Sequence, residues 1–143
     1  MPVTIDIRYL GDLHCAATHG PSGSRLTTDA PVDNGGKGEL FSPTDLVATA
    51  LGTCLSTVMG LLARRTGLDL SGTTVQVEKH MTADPVRRIG ALEAVITFPR
   101  SFGPDDRARL ERTAHTCPVR QSLHPDVTVR MRFVYPDGET GTQ

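Results

Sequence analysis

A chain of 143 residues, 38% hydrophobic and 22% charged, has the length and composition of one globular domain and lies outside the range of disordered chains. Fifteen Lys and Arg against sixteen Asp and Glu leave a formal charge of −1, which offers no electrostatic footprint to a nucleic acid. With no Trp and few other aromatics, no base-stacking platform is expected either.

The segment Met1-Pro2-Val3-Thr4-Ile5-Asp6 has neither the basic nor the apolar stretch of an export signal. That predicts a cytoplasmic protein in a reducing compartment, whose three cysteines are structural thiols, metal ligands or redox groups and not a disulfide framework. Alternation of apolar and polar residues predicts a strand from Val3 to Tyr9 and a weaker one from Leu13 to Thr18. Gly20 to Ser24 is a turn cluster, after which Arg25 to Thr28 returns as the second arm of a hairpin. Asp33 to Gly38 reads as a flexible loop.

The strongest helix signal follows. Ser42 is an N-cap residue, Pro43 suits the first helical position, and Asp45 supplies the acidic half of a capping box. The helix is expected to run to about Thr66 and to stop at Gly67. Val47, Ala50, Leu51, Cys54, Val58, Leu61 and Leu62 make its apolar stripe, widened by Leu46, Leu55 and Met59. Leu46 to Ala63 carries no charge, which is the lower edge of a bilayer span. The Thr, Ser and Gly residues within it favour a buried core helix, so no membrane association is expected.

Strands return at Thr73–Met81 and Leu92–Phe98, joined by a loop from Asp84 to Arg88. A second helix starts near Pro104 and ends before Pro118, which opens a short third helix to about Leu123. Val127 to Tyr135 alternates as a last strand, and Gly138 to Gln143 reads as a polar, mobile tail. Strands, long helix, strands, helix, strand is an α+β order.

Chemistry can rest on few residues. Cys54 lies mid-helix, too deep to use the N-terminal dipole, and needs a partner if it is to be a nucleophile. Cys117 precedes Pro118 at the N-cap of the short helix, where the dipole and the basic neighbours His115 and Arg120 favour a thiolate. His14, Cys15, His19, His115 and Cys117 contain no Cys-x-x-Cys or His-x-x-x-His pair, so no metal site is expected. Gly-x-Ser-x-Gly, phosphate-binding and dinucleotide motifs are absent.

Two stretches read together are informative: Ser42-Pro43-Thr44-Asp45-Leu46-Val47-Ala48-Thr49-Ala50-Leu51-Gly52-Thr53-Cys54 and Ala114-His115-Thr116-Cys117-Pro118-Val119. The pair resembles the OsmC/Ohr family, the osmotically inducible and organic-hydroperoxide-resistance proteins, and is most similar to its OsmC-like branch. The resemblance implies antiparallel sheets wrapped around a long central helix in an intertwined homodimer. It implies thiol-dependent reduction of hydroperoxides, organic ones preferred, with an external dithiol reductant and no metal, flavin or haem. Cys54 would be the peroxidatic residue and Cys117 the resolving one, with the helix stripe lining a pocket for a fatty or aromatic hydroperoxide.

Where the well-studied peroxidase branches carry Asn-Pro-Glu, this chain has Ser42-Pro43-Thr44. Their glutamate holds an arginine against the reactive thiol. Asp45 is the nearest acid here, and nine helical residues set it about 13 Å along the axis from Cys54. It acts across a dimer interface or as a cap. Arg25, just after the hairpin turn, is the candidate arginine; it would favour the Cys54 thiolate and steady the developing oxyanion. A non-enzymatic redox sensor and a small-molecule binding module are the rival functions on the same fold.

Overall fold

The computed structural model describes residues 1–142, with side chains through Asp137. The chain divides into two compact units, Met1–Val47 and Ala48 onward.

In the first unit, β1 (Ile5–Gly11), β2 (His14–His19) and β3 (Arg25–Thr28) form an antiparallel sheet in that order. β1 lies two residues later than its alternation predicts, because the hairpin turns at Asp12 and Leu13. Both take positive φ (51° and 62°), as a two-residue turn matched to strand twist demands. Arg25 does open the returning arm, paired with Thr18. Ile5, Ile7, Tyr9 and Leu26 share one face of this sheet and are all exposed, so the chain leaves most of the large apolar side chains of that face uncovered.

The loop expected to be flexible is instead tied to a carboxylate. Asp29, with no exposed surface, accepts hydrogen bonds from the backbone N–H groups of Ala30 (2.7 Å), Lys37 (3.2 Å) and Glu39 (3.2 Å). A 3₁₀ turn at Val32–Asn34 lies inside the loop. Gly36 is obligatory there, because a Cβ on it would stand 1.8 Å from the Ala30 carbonyl oxygen. Burial alone would raise the Asp29 carboxyl, but the three N–H donors and the nearby His14 outweigh it and hold it below the ordinary carboxylate range.

Helix α1 spans Pro43–Thr66, with the predicted start and stop. Its capping box is complete: the Ser42 hydroxyl accepts from the Asp45 N–H (3.1 Å) and the Asp45 carboxylate accepts from the Ser42 N–H (2.9 Å). Among the described residues it is the one helix long and apolar enough to cross a bilayer. Protein, however, buries Leu51, Leu55 and Met59 along it.

The second unit holds β4 (Thr74–Thr82), β5 (Arg88–Thr97), α2 (Pro104–His115), α3 (Pro118–Ser122), β6 (Thr128–Tyr135) and β7 (Gly138–Thr142). The sheet runs β4-β5-β6-β7, and here two expectations are corrected. The pairing of β5 with β6 is parallel, not antiparallel, because α2 and α3 form a crossover that returns the chain to the same end of the sheet. Gly138–Thr142, read as a polar tail, pairs with β6 as an edge strand; its weak apolar content hid it, since an edge strand need bury little. Gln143 lies outside the described residues.

Leu92, Ala94, Ile96 and Phe98 alternate inward as predicted and meet Met131, Phe133 and Tyr135 of β6. The register sets Ala94 beside Met131 and Ile96 beside Phe133. On α1 the core-facing line is Ala48, Leu51, Gly52, Leu55, Met59 and Ala63, not the stripe centred on Cys54. Gly52 explains the rotation: a Cβ there would stand 3.0 Å from Val77 Cγ2, so the helix lies close against β4 at that point. Val47, Ala50, Cys54, Val58 and Leu62 are left half-buried and Leu61 exposed.

Candidate active site

The thiol pair is built by two unlike devices. Cys54 is placed by the middle of α1, about a third of a turn from the centre of the core-facing line, and is only partly buried. Cys117 is placed by the break between α2 and α3. Pro118 cannot continue α2, and Cys117 takes extended angles (φ −59°, ψ 134°) as the N-cap of α3. Its sulfur accepts a hydrogen bond from the Arg120 N–H at 3.3 Å, and its side chain has no exposed surface.

The two thiols interact. Burial, first, pushes the Cys117 thiol above its ordinary value; a hydrogen bond to Cys54 and repulsion from charge on Cys54 push it further, against the Arg120 and Val119 N–H groups that favour the thiolate. The expected thiolate at the N-cap is therefore corrected. A helix of only five residues has little dipole to offer, and desolvation wins. His115 supplies no cation either: burial, then repulsion from Arg120, lowers its imidazole below the ordinary value, and its ring lies 6.3 Å from that of Phe133. At neutral pH the pair thus has a protonated, buried partner in Cys117 and a more accessible one in Cys54. All three cysteines are free thiols.

This arrangement makes a direct prediction. In Cys54→Ser, Cys117 should ionise at lower pH than in the wild type, since the charge repulsion goes, yet still above an ordinary thiol because burial stays. Alkylation rates at Cys117 followed by mass spectrometry across pH decide it; an unchanged midpoint would mean the thiols do not interact.

The other expected site residues belong to the first unit. Arg25 is exposed at the first position of β3. Asp45 is engaged in the capping box, the local role open to it from the outset. Thr44 Oγ1 is 3.2 Å from the Ser42 hydroxyl, inside the same cap. Arg120, expected beside Cys117 as a basic neighbour, meets the Cys117 sulfur through its backbone N–H, the third position after the cap. Its Nε is buried without a hydrogen-bond partner among the described residues.

Comparison with known proteins agrees with this geometry. Residues 36–132 match the family described as OsmC-like protein. Among curated proteins nothing matches. A solved structure of a Psychrobacter arcticus protein, named for osmotic stress induction and a detoxification response, is 45% identical over 91% of this chain and 94% of its own, with a TM-score of 0.86. An organic hydroperoxide resistance protein OsmC of Legionella pneumophila is 17% identical over 94% of this chain and 97% of its own, TM-score 0.75. A Vibrio cholerae structure named for organic hydroperoxide resistance, with captopril bound in one of its active sites, is 17% identical over 99% and 94%, TM-score 0.74. These last two share the fold. With the family match covering more than half of its length and both cysteines inside it, the chain belongs to the OsmC family.

Proposed function

We propose that the protein is a thiol-dependent peroxidase acting on organic hydroperoxides, and less well on hydrogen peroxide. One observation carries the reading: two free thiols about sixty residues apart in sequence interact, one accessible and the other buried and capped. The Cys54 thiolate attacks the terminal peroxide oxygen; the O–O bond breaks, the alkoxide leaves and takes a proton from solvent, and Cys54 becomes a sulfenic acid. The Cys117 sulfur then attacks the Cys54 sulfur. Hydroxide leaves with the Cys117 proton as water, and a Cys54–Cys117 disulfide remains. An external dithiol reduces it by exchange. A cytoplasmic location would supply that dithiol and keep the resting thiols reduced. Arg25 is proposed to stabilise the Cys54 thiolate, and Asp45 to assist only from a second copy.

That second copy is part of the proposal. The exposed Ile5, Ile7 and Tyr9 of β1 and the half-covered flank of α1 suit burial in a homodimer. Light scattering at micromolar concentration should give twice the 15.4 kDa of one chain. A clean monomer would remove the dimer and with it any cross-subunit role for Asp45.

The test of function is hydroperoxide consumption with lipoamide-type and thioredoxin-type dithiols. Continuous consumption supports a peroxidase. A single equivalent consumed, then arrest with every dithiol tried, identifies a redox sensor; no reaction identifies a binding module.

A further inference from the structure

His14, Asp29 and Glu39 converge in the first unit, and neither the thiol chemistry nor the sequence motifs use them as a group. One ligand-type atom of each lies within 4.8 Å of the others. His14 Nδ1 is 2.7 Å from the Asp12 carbonyl oxygen. A carbonyl only accepts, so Nδ1 carries the hydrogen and, in the neutral ring, Nε2 presents a bare lone pair. That lone pair faces Asp29 Oδ1 at 3.7 Å, beyond hydrogen-bond length.

Two acceptors held face to face, one of them fully buried, are satisfied by a cation between them, by a bridging O–H donor or by a proton on the imidazole. Asp29 Oδ1 spends one bond on the Ala30 N–H and keeps a second lone pair, while Oδ2 takes the N–H groups of Lys37 and Glu39. The bond to the Glu39 N–H also delivers the Glu39 carboxylate to the same spot.

We propose that His14, Asp29 and Glu39 form a binding site for a divalent transition-metal ion of the Zn²⁺ type, with the remaining positions open to water. The geometry fits: two ligands about 2.1 Å from a tetrahedral metal stand about 3.4 Å apart, near the 3.7 Å observed between His14 and Asp29. Glu39 is exposed enough to close the remaining gap. The Nδ1 bond to a backbone carbonyl is the outer partner that metal-binding histidines ordinarily have. An imidazole beside two carboxylates selects Zn²⁺ or Co²⁺ over Mg²⁺ and Ca²⁺. The opposing group is Lys37, whose ammonium lies 3.7 Å from a Glu39 carboxylate oxygen and must swing away; it is well exposed and free to do so. The ion would add a second clamp to the loop that Asp29 already orders. This inference does not depend on peroxidase activity.

The test uses metal-stripped, reduced Cys54→Ser/Cys117→Ser protein, so that the thiol pair cannot bind the probe. Calorimetry with Zn²⁺ should find one ion per chain. The Co²⁺ complex should show d–d bands without thiolate charge transfer, which also rules out Cys15. Glu39→Gln and His14→Gln in the same background should each weaken binding about 100-fold. Glu39 is exposed, so its variant folds, and circular dichroism verifies both. Absence of Zn²⁺ binding, binding that survives both substitutions, or thiolate bands with Co²⁺ would each overturn the site and leave an imidazolium–carboxylate ion pair in its place.

Discussion

Cys54→Ser is expected to bring hydroperoxide consumption down to the uncatalysed background, a loss of at least ~10³-fold. Serine keeps the size and a hydrogen bond to Cys117 but offers no thiolate. Cys117→Ser should behave differently: the first equivalent of peroxide is still consumed at an undiminished rate, and turnover then fails. Without the buried thiol the Cys54 sulfenic acid persists and over-oxidises to sulfinic acid. A sulfenic-acid trap should label Cys54 in that variant after one equivalent of cumene hydroperoxide, and non-reducing peptide maps of the wild type should join Cys54 to Cys117. Label or linkage appearing chiefly on Cys15, which lies on β2 in the first unit, would overturn the assignment.

The largest stability effect is expected at Phe133. Its ring has no exposed surface, stands beside Ile96 across the parallel pair, and meets the His115 ring at the end of α2. Phe133→Ala should cost about 3–5 kcal/mol, or about 10–17 °C in melting temperature for a chain of this size. The cavity would open beneath the end of α2, two residues before Cys117. Oxidation of the thiol pair should therefore slow in this variant even below its melting temperature. Calorimetry together with the disulfide yield measures both; a change under 1 kcal/mol would mean that this face of the sheet is not the core.

Most elements were legible because each carries a strong local signal. Ser42-Pro43-x-Asp45 and Gly67 bracket α1, and Cys117-Pro118 separates α2 from α3. What local signals cannot carry is orientation. α1 is apolar nearly all round, so side-chain hydrophobicity did not say which face meets the sheet; the small residues Ala48, Gly52 and Ala63 mark that face, since only they let a helix approach so closely. The protonated state of Cys117 is hidden from the sequence for a similar reason. Its cap position is local, whereas the burial that overrides the cap is set by the tertiary fold. Asp29 shows the same limit: nothing in its local sequence marks the three N–H donors, two of them eight and ten residues on, that converge on its carboxylate.

The parallel pairing of β5 and β6 bears on when the thiol pair comes into existence. A hairpin can close within a few residues, but strands that run the same way must wait for the whole crossover between them, and here that crossover carries Cys117. Contacts between distant segments form late and slowly during folding. Cys54 is in place once α1 is made, yet its partner arrives only when β6 docks beside β5. A nascent or partly unfolded chain would therefore expose an unresolved Cys54 to oxidants, and rapid Cys54–Cys117 disulfide formation would report that the native topology has closed.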